Sequence, residues 1–374
     1  MRVQLITDYQ KFLELEQQWN SVIDRSDENI FWLRHEQLCI WFETMVQASA
    51  IGSRRELFIL LVYDGEELIA IAPLVRTKIK LFGIPVRAIS FMHQGRREIV
   101  ILRNKEEVLN LLFGYLRQVK HIWLNMLMVP KRSEHAHLIE GAAASNGLLV
   151  RRIEPRLRNS HLYISLVSDW AQYEKTLSKQ HKDNINRAER KLSELGRLEY
   201  EQISPTADLE AVIGSLTQVE LNSWRMNQGA RVTNVTSGRS FNYAARFIHE
   251  SAKRGYLRVA LLKLNDAPIA YYVYVSYKNH YLAIWTGYDT NYRKYSPGQL
   301  MLRYVLKSCF ETKHEQFDFL GYFEYETRWT NSFLQHEDIK IYRSRLMYAL
   351  DTWLSSKFKP HKPREPQTMR EFQT

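Results

Sequence analysis

Three consecutive segments of this chain constrain its fold more than any other feature. They are YLRVALLKL (Tyr256 to Leu264), PIAYYVYVSY (Pro268 to Tyr277) and HYLAIWTGYD (His280 to Asp289). All are dense in β-branched and aromatic residues, and only the turn pairs Asn265-Asp266 and Lys278-Asn279 separate them. Strands joined by such short turns pair with their immediate neighbours, so the region reads as an antiparallel meander. An all-helical fold is excluded for this half.

The flanks read as helices by their apolar spacing. Before the meander these cover Ser178 to Leu195, Asp208 to Asn222 and Thr236 to Lys253. After it comes an apolar helix from Gly298 to about Phe310, then a strand QFDFLG (Gln316 to Gly321). The segment Ile339 to Leu350 is expected to close the sheet and run into a final helix. The first half follows the same plan. Helices over Asp8 to Trp19 and His35 to Ala50 precede strands Glu56 to Tyr63 and Glu67 to Lys78, split by Asp64-Gly65. A further strand pair is expected around Val86 to Phe91 and Glu98 to Leu102. Then come a helix (Lys105 to Gln118), a strand (His121 to Val129) and a helix (His135 to Asn146). The fold class is therefore α/β, with each half a mixed, largely antiparallel sheet flanked by helices.

A chain of 374 residues, 45% of them hydrophobic, can bury two cores of ordinary size. The expected domains are residues 1–156 and 157–350, followed by a basic, proline-containing tail, 351–374. Cys39 and Cys309 both fall in amphipathic helical patterns and read as buried free thiols, in keeping with a reducing compartment. No window carries the 18 apolar residues of a spanning helix, and the opening MRVQLITDYQK lacks an apolar signal core. A cytoplasmic location is expected, with peripheral membrane contact left open.

The formal net charge is +11, which points to an anionic ligand, a membrane surface or nucleic acid. The excess is most concentrated in the helix Ser178 to Leu195. Its stripe of Ile185, Ala188, Leu192 and Leu195 is surrounded by Lys179, Lys182, Arg187, Arg190 and Lys191. That pattern is either a solvated face or a wall facing an anion.

The chemistry-bearing segment is GYDTNYRKYSPGQLMLRYVLKSCF, Gly287 to Phe310. A strand ends, a polar turn carries Arg293 and Lys294, and an apolar helix begins. A helix start presents unpaired N–H groups and partial positive charge, which suits phosphate oxygens. Ser296 is placed to cap, and Gly298 lets a ligand approach the backbone. The expected phosphate-binding set is Arg293, Lys294, Ser296, Gly298, Gln299 and Leu300. No metal site is expected, because His135 and His137 have no further ligand at a useful spacing.

These residues resemble a known family. The spacing Arg293-x-x-Ser296-x-Gly298 is similar to the GNAT pyrophosphate loop, with Ser296 where the first glycine usually stands. KDNINRAERKLSELG (Lys182 to Gly196), ELNSW (Glu220 to Trp224) and DFLGYFEYETRW (Asp318 to Trp329) together look like the CelD/BioF2-like acetyltransferases, relatives of the Fem peptidyltransferases. The last segment departs at Glu326, where that family usually has Lys. The resemblance implies tandem GNAT-like domains and acyl transfer from acyl-CoA, acetyl-CoA first, to an amine or hydroxyl. It also implies a small-molecule, glycan or lipid-linked acceptor in cell-surface polysaccharide or precursor pathways, and no DNA partner. Glu220 and Asp318 are then candidate bases, and Tyr325 a candidate proton donor to the leaving thiolate. A backbone N–H near Thr286 to Asp289 would steady the developing oxyanion. Two other readings remain: a Fem-like transferase using charged tRNA, and a non-catalytic binding or scaffold protein.

Overall fold

A computed structural model of the chain describes residues 1–27, 29–47, 55–81, 83–92, 98–121, 123–130, 133–153, 160–203, 208–223, 226 and 238–357. The chain divides into two compact units. Met1–Cys39, Ala50–Ser160 and Gln335–Thr374 make the first, and Ile40–Ser49 with His161–Leu334 the second.

The first unit opens with β1 (Arg2–Ile6), α1 (Tyr9–Leu13), α2 (Glu16–Arg25) and α3 (His35–Trp41). Sequence spacing suggested one helix over Asp8 to Trp19, and β1 escaped it. Asp8 does cap α1 by accepting the Lys11 N–H, but the helix ends at once and α2 restarts after Leu15. From α3 the chain continues as a π-helical segment, Phe42–Gln47, that belongs to the second unit, where Glu43 ion-pairs with Arg246. The strands β2 (Arg55–Leu57), β3 (Ile59–Asp64), β4 (Glu67–Ala72), β5 (Leu74–Leu81), β6 (Ile84–Phe91) and β7 (Val100–Ile101) follow. What read as one strand, Glu67 to Lys78, is two. Pro73 has no N–H to give to a ladder. There the chain leaves the antiparallel sheet β1-β3-β4-β7 and enters a second one in which β5 pairs with β2 and β6. Consequently Val86 to Phe91 pairs with β5 rather than with the segment around Glu98 to Leu102, whose β7 pairs with β4. After α4 (Lys105–Gln118), β8 (Trp123–Pro130), α5 (Glu134–Ser145) and β9 (Leu149–Ile153), β8 lies parallel to β6. The core joins Leu60, Val62 and Ile69 to Leu109, Leu112, Phe113 and Ile139.

The second unit contains β10 (Ser160–Ser165), α6 (Trp170–Thr176), α7 (Lys179–Ser193), β11 (Leu198–Gln202), α8 (Leu209–Leu221) and α9 (Gly238–Lys253). The expected meander follows as β12 (Leu257–Leu264), β13 (Ala267–Tyr277) and β14 (His280–Tyr288). The turn residues Asn265, Asp266, Lys278 and Asn279 all have positive φ, as such tight hairpins demand. A 3₁₀ turn, Thr290–Tyr295, leads to α10 (Pro297–Phe310), and β15 (Gln316–Asp318) completes the set. Strand order is β11-β12-β13-β14-β15-β10, antiparallel except where β14 and β15 run parallel.

Alternation along β13 sorts the sheet's two faces. Ala270, Tyr272 and Tyr274 join Ile185 and Leu192 of α7 and Leu300, Met301 and Val305 of α10. Tyr271 points the other way, to Glu220 on α8. On that second face Trp285 of β14 packs edge-on against Phe247 of α9, with centroids 5.0 Å apart.

The last strand, β16 (Phe333–Tyr342), and α11 (Arg345–Lys357) depart from a domain running over 157–350. β16 pairs antiparallel with β8 and β9, and Ile339 and Ile341 are buried in the first unit's core. Residues 335 onward therefore go with the first unit. Residues 351–357, expected as tail, continue α11, and 358–374 lie outside the described residues.

Candidate active site

β14 and β15 share only three register positions, His280 to Leu282 against Gln316 to Asp318. Among the described residues, β14 then runs on unpaired on that side to Tyr288. It also carries a bulge: Val273 of β13 faces Trp285, Tyr274 faces Ala283, and Ile284 is the extra residue. A bulge re-aims side chains and loosens backbone pairing, and such bulges are common beside active sites. The sheet is therefore open along one edge of β14.

At the end of β14 the chain makes a tightly braced corner. Asp289 caps the 3₁₀ turn by accepting the Asn291 N–H at 2.8 Å and also accepts from the Asn222 side chain at 3.1 Å. Ser296 then adopts the left-handed conformation, φ 50° and ψ 48°, and Pro297 starts α10. The expected side-chain cap is absent. Ser296 contributes its carbonyl, which accepts the Gln299 N–H at 3.0 Å and the Leu300 N–H at 3.3 Å. A residue in that conformation aims its side chain away from the first turn of the helix, which is why the cap fails.

A cleft of about 230 Å³ lies between this helix start and α7. α7 gives it His181, Asn184, Arg187 and Lys191, the loop gives Lys294, Tyr295 and Ser296, and Gln299 and Arg328 complete the polar lining. Among the described residues, no Asp or Glu lines it. The two walls are tied together below the cleft. Arg303 of α10 donates to Asn186 and Glu189 of α7, at 2.8 and 3.3 Å, and Tyr304 donates to Glu189. Of the basic residues read on α7, Arg187 and Lys191 line this cleft, while Lys179, Lys182 and Arg190 do not.

Among the residues expected to bind phosphate, the structure brings Lys294, Ser296 and Gln299 to the cleft. Arg293 is exposed and does not line it. Gly298 faces Tyr288 instead, where an added Cβ would lie 3.3 Å from the ring. Leu300 is a correction: its side chain is fully buried in the core and its N–H is taken by Ser296. Leu195, expected on the buried stripe of α7, is exposed beyond the end of the helix.

Sequence reasoning missed His181. It sits four residues before Ile185 and so extends the buried stripe Ile185, Ala188, Leu192 by one turn. Ser178 caps the helix there, accepting the His181 N–H at 3.2 Å. The signal was available: a histidine on an apolar stripe at the first turn of the chain's most basic helix.

The three residues expected to do proton chemistry lie apart from this cleft. Glu220 is 1% exposed on α8 and accepts from Tyr271 at 2.6 Å and Ser223 at 3.1 Å. Asp318, at the end of β15, accepts the Leu320 N–H at 2.6 Å, and His161 Nδ1 lies 3.8 Å away. Phe317 and Phe319 on either side of it belong to the α7/α10 core. By alternation Asp318 therefore points to the face that also holds Glu220. Tyr325 stacks on Phe323 at 5.8 Å. It hydrogen-bonds Glu326, which is nearly fully buried and whose carboxyl is pushed up to about 8 by burial. Asp318 raises it further, while the Phe323 N–H and Tyr325 pull it back. Glu326 Oε2 accepts that N–H at 3.1 Å, closing the turn that carries Arg328. Where the resembling family has lysine, this chain has a buried carboxyl that caps its own backbone. The Asp289 N–H, within the stretch expected to steady an oxyanion, is engaged by the Ile269 carbonyl at 2.8 Å. Trp224 lies outside the described residues.

An α/β sheet that opens beside a bulge, next to a helix start facing a basic cleft, defines the class. The profile of the acetyltransferase (GNAT) domain family matches residues 179–328, which holds the cleft, the meander and both candidate carboxylates. No curated protein matches the chain. Among solved structures, the chain is similar to FemX (TM-score 0.63, 12% identity, covering 94% of this chain and 99% of that one). It is also similar to a conserved protein of unknown function from Bacteroides thetaiotaomicron VPI-5482 (TM-score 0.59, 13% identity, 91% and 100% covered). A third is L-PGS from Bacillus licheniformis (TM-score 0.51, 11% identity, 91% and 95% covered). The GNAT relationship of the fold, FemX-like proteins included, rests on these matches.

Proposed function

We propose that the second unit is an acyl-CoA-dependent N- or O-acyltransferase, with its donor's phosphates in the cleft at the start of α10. The observation that carries this is the lining of that cleft. Arg187, Lys191, Lys294 and Arg328 line it beside a helix N-terminus, with no carboxylate among the described lining residues. Such a site suits a pyrophosphate and would repel nothing anionic.

Acyl-CoA would supply a thioester carbonyl already activated for attack. The chain's own residues would do the rest. Lys294 and the side chain of Gln299 hold phosphate at the start of α10, and the open edge of β14 receives the arm that leads to the reacting carbon. A backbone N–H near the bulge at Ile284 would steady charge on the carbonyl oxygen. On the opposite face Glu220 and Asp318 are the carboxylates available to take the proton of an attacking amine or hydroxyl, while Tyr325 gives one to the departing sulfur. By the narrower resemblance to CelD/BioF2-like enzymes, the acceptor would be a glycan, a lipid-linked precursor or another small molecule.

Calorimetry with CoA and acetyl-CoA tests the reading. Saturable binding that Lys294→Glu weakens supports it. Binding of aminoacyl-tRNA without CoA binding would replace it with a Fem-like reaction, and binding of neither would leave a scaffold.

A further inference from the structure

Among the described residues of the cleft, His181 is the one whose side-chain polar atom is both buried and without a partner. Its side chain lines the cleft and is 94% buried by its 6% relative exposure, and Nε2 has no hydrogen-bond partner among the described residues. Buried ring nitrogens are rarely left unpaired, and an exception invites a ligand. The ring is also held still. Trp329 meets it edge-on, with centroids 4.7 Å apart and planes at 88°, and Trp329 is itself fixed by its indole N–H to Gln299 Oε1 at 2.9 Å. The ring so held lines the same cleft as Lys294 and Gln299.

We propose that His181 Nε2 is a direct hydrogen-bond donor to a phosphate oxygen seated at the start of α10, and that seating it draws a proton onto the imidazole. This inference rests on the cleft being the donor's phosphate site. Arg328 of the 3₁₀ turn acts on the ring directly, and the other charged residues lining the cleft, Lys294 from the loop and Arg187 and Lys191 from its own helix, are cationic as well. Burial, with Arg328 adding to it, lowers the His181 pKa to about 4, so the empty ring is neutral. An ionised phosphate at hydrogen-bond distance reverses the local field and favours the charged ring. Between the empty and the occupied pKa, binding then takes up as much as one proton, and affinity falls by at most about tenfold for each unit of rising pH. Above the occupied pKa the neutral ring still donates and the dependence ends.

Dephospho-CoA is the right probe, because its pyrophosphate diester keeps its charge across the range in which histidine titrates. Titrations of the full chain in buffers of different ionisation enthalpy, near pH 6 and near pH 8, measure proton uptake directly. Wild type is expected to take up protons near pH 6 and to bind several-fold tighter there than near pH 8. His181→Gln keeps a neutral donor, and should bind with no uptake and little pH dependence. His181→Ala should bind about tenfold more weakly near pH 6 while Lys294 is intact. Uptake that persists in His181→Gln, or wild-type binding without uptake, overturns the inference and leaves the phosphate site standing. If His181→Ala fails to fold, the wild-type buffer comparison and the Gln variant still decide. Should wild type bind neither dephospho-CoA nor CoA at either pH, the phosphate site itself is wrong and the inference falls with it.

Discussion

Tyr271 of β13 donates its hydroxyl to Glu220 of α8 at 2.6 Å, and Gly287 of β14 lies against the pair. A Cβ added to Gly287 would stand 2.6 Å from both Glu220 Oε1 and Tyr271 Cε1. The glycine is required by close approach rather than by its backbone angles. Gly287→Ala should therefore destabilise the protein by about 1–3 kcal/mol, as overpacking usually does. Urea denaturation checks it, and a change near zero would mean that α8 stands further from the sheet.

The same pair bears on catalysis. Glu220→Gln keeps the shape of the side chain and removes the base, so turnover should fall by about 10²–10⁴-fold. CoA affinity should barely change, because the carboxylate lies on the opposite face from the cleft. If Asp318→Asn causes that fall and Glu220→Gln does not, the base is Asp318.

Ser296 holds a left-handed conformation with no side-chain hydrogen bond to α10. That conformation disfavours a residue with a Cβ by roughly 1–2 kcal/mol, and glycine gives back part of this through its freer unfolded state. Ser296→Gly should raise stability by about 0.5–1 kcal/mol, and because Ser296 lines the cleft, any loss of CoA affinity reports a contact of its hydroxyl with phosphate. Thermal unfolding with and without CoA separates the two effects.

Much of this was legible in the sequence. The meander Tyr256 to Asp289 announced itself because β-branched runs and two-residue turns are local signals. The strand–loop–helix around Lys294 was legible for the same reason. What stayed hidden depended on distant partners. Nothing local says that β16 pairs with β8, more than two hundred residues earlier. Nor does local pattern say that Pro73 moves the chain between sheets. Ser296 misled because serine is a good cap only in extended backbone, and its actual conformation is set by the corner it closes. The role of Glu326 was equally invisible, since its burial comes from the turn folding back on it.

The cleft makes an electrostatic prediction. Lys294 and Arg187 reach it from opposite walls. Lys294→Glu and Arg187→Glu should each weaken CoA binding by about tenfold or more, equal to ~1.4 kcal/mol. Each should also flatten the salt dependence of what remains, since fewer cations are left to screen. Arg293→Ala, outside the cleft, should change little. Calorimetry at low and moderate salt distinguishes these outcomes, and an Arg293 effect larger than the Lys294 effect would move the phosphate toward the exposed side of the loop.

Glu326 links stability to pH. Burial raises its folded-state pKa to about 8, against an ordinary value of 4.5. Below pH 4.5 both states are protonated and the full contribution is present. Between 4.5 and about 8 the unfolded chain ionises while the folded one holds its proton, so stability falls as pH rises. The limiting slope is about 1.4 kcal/mol per pH unit for one group. Above about pH 8 both states are ionised and the loss stops growing. Glu326→Gln presents a neutral side chain of the same shape that still accepts the Phe323 N–H. It should match wild type near pH 5 and exceed it increasingly toward pH 8. Urea titrations at several pH values measure the difference. Parallel stability curves for the two proteins would show that the carboxyl ionises in the folded state at its ordinary pH.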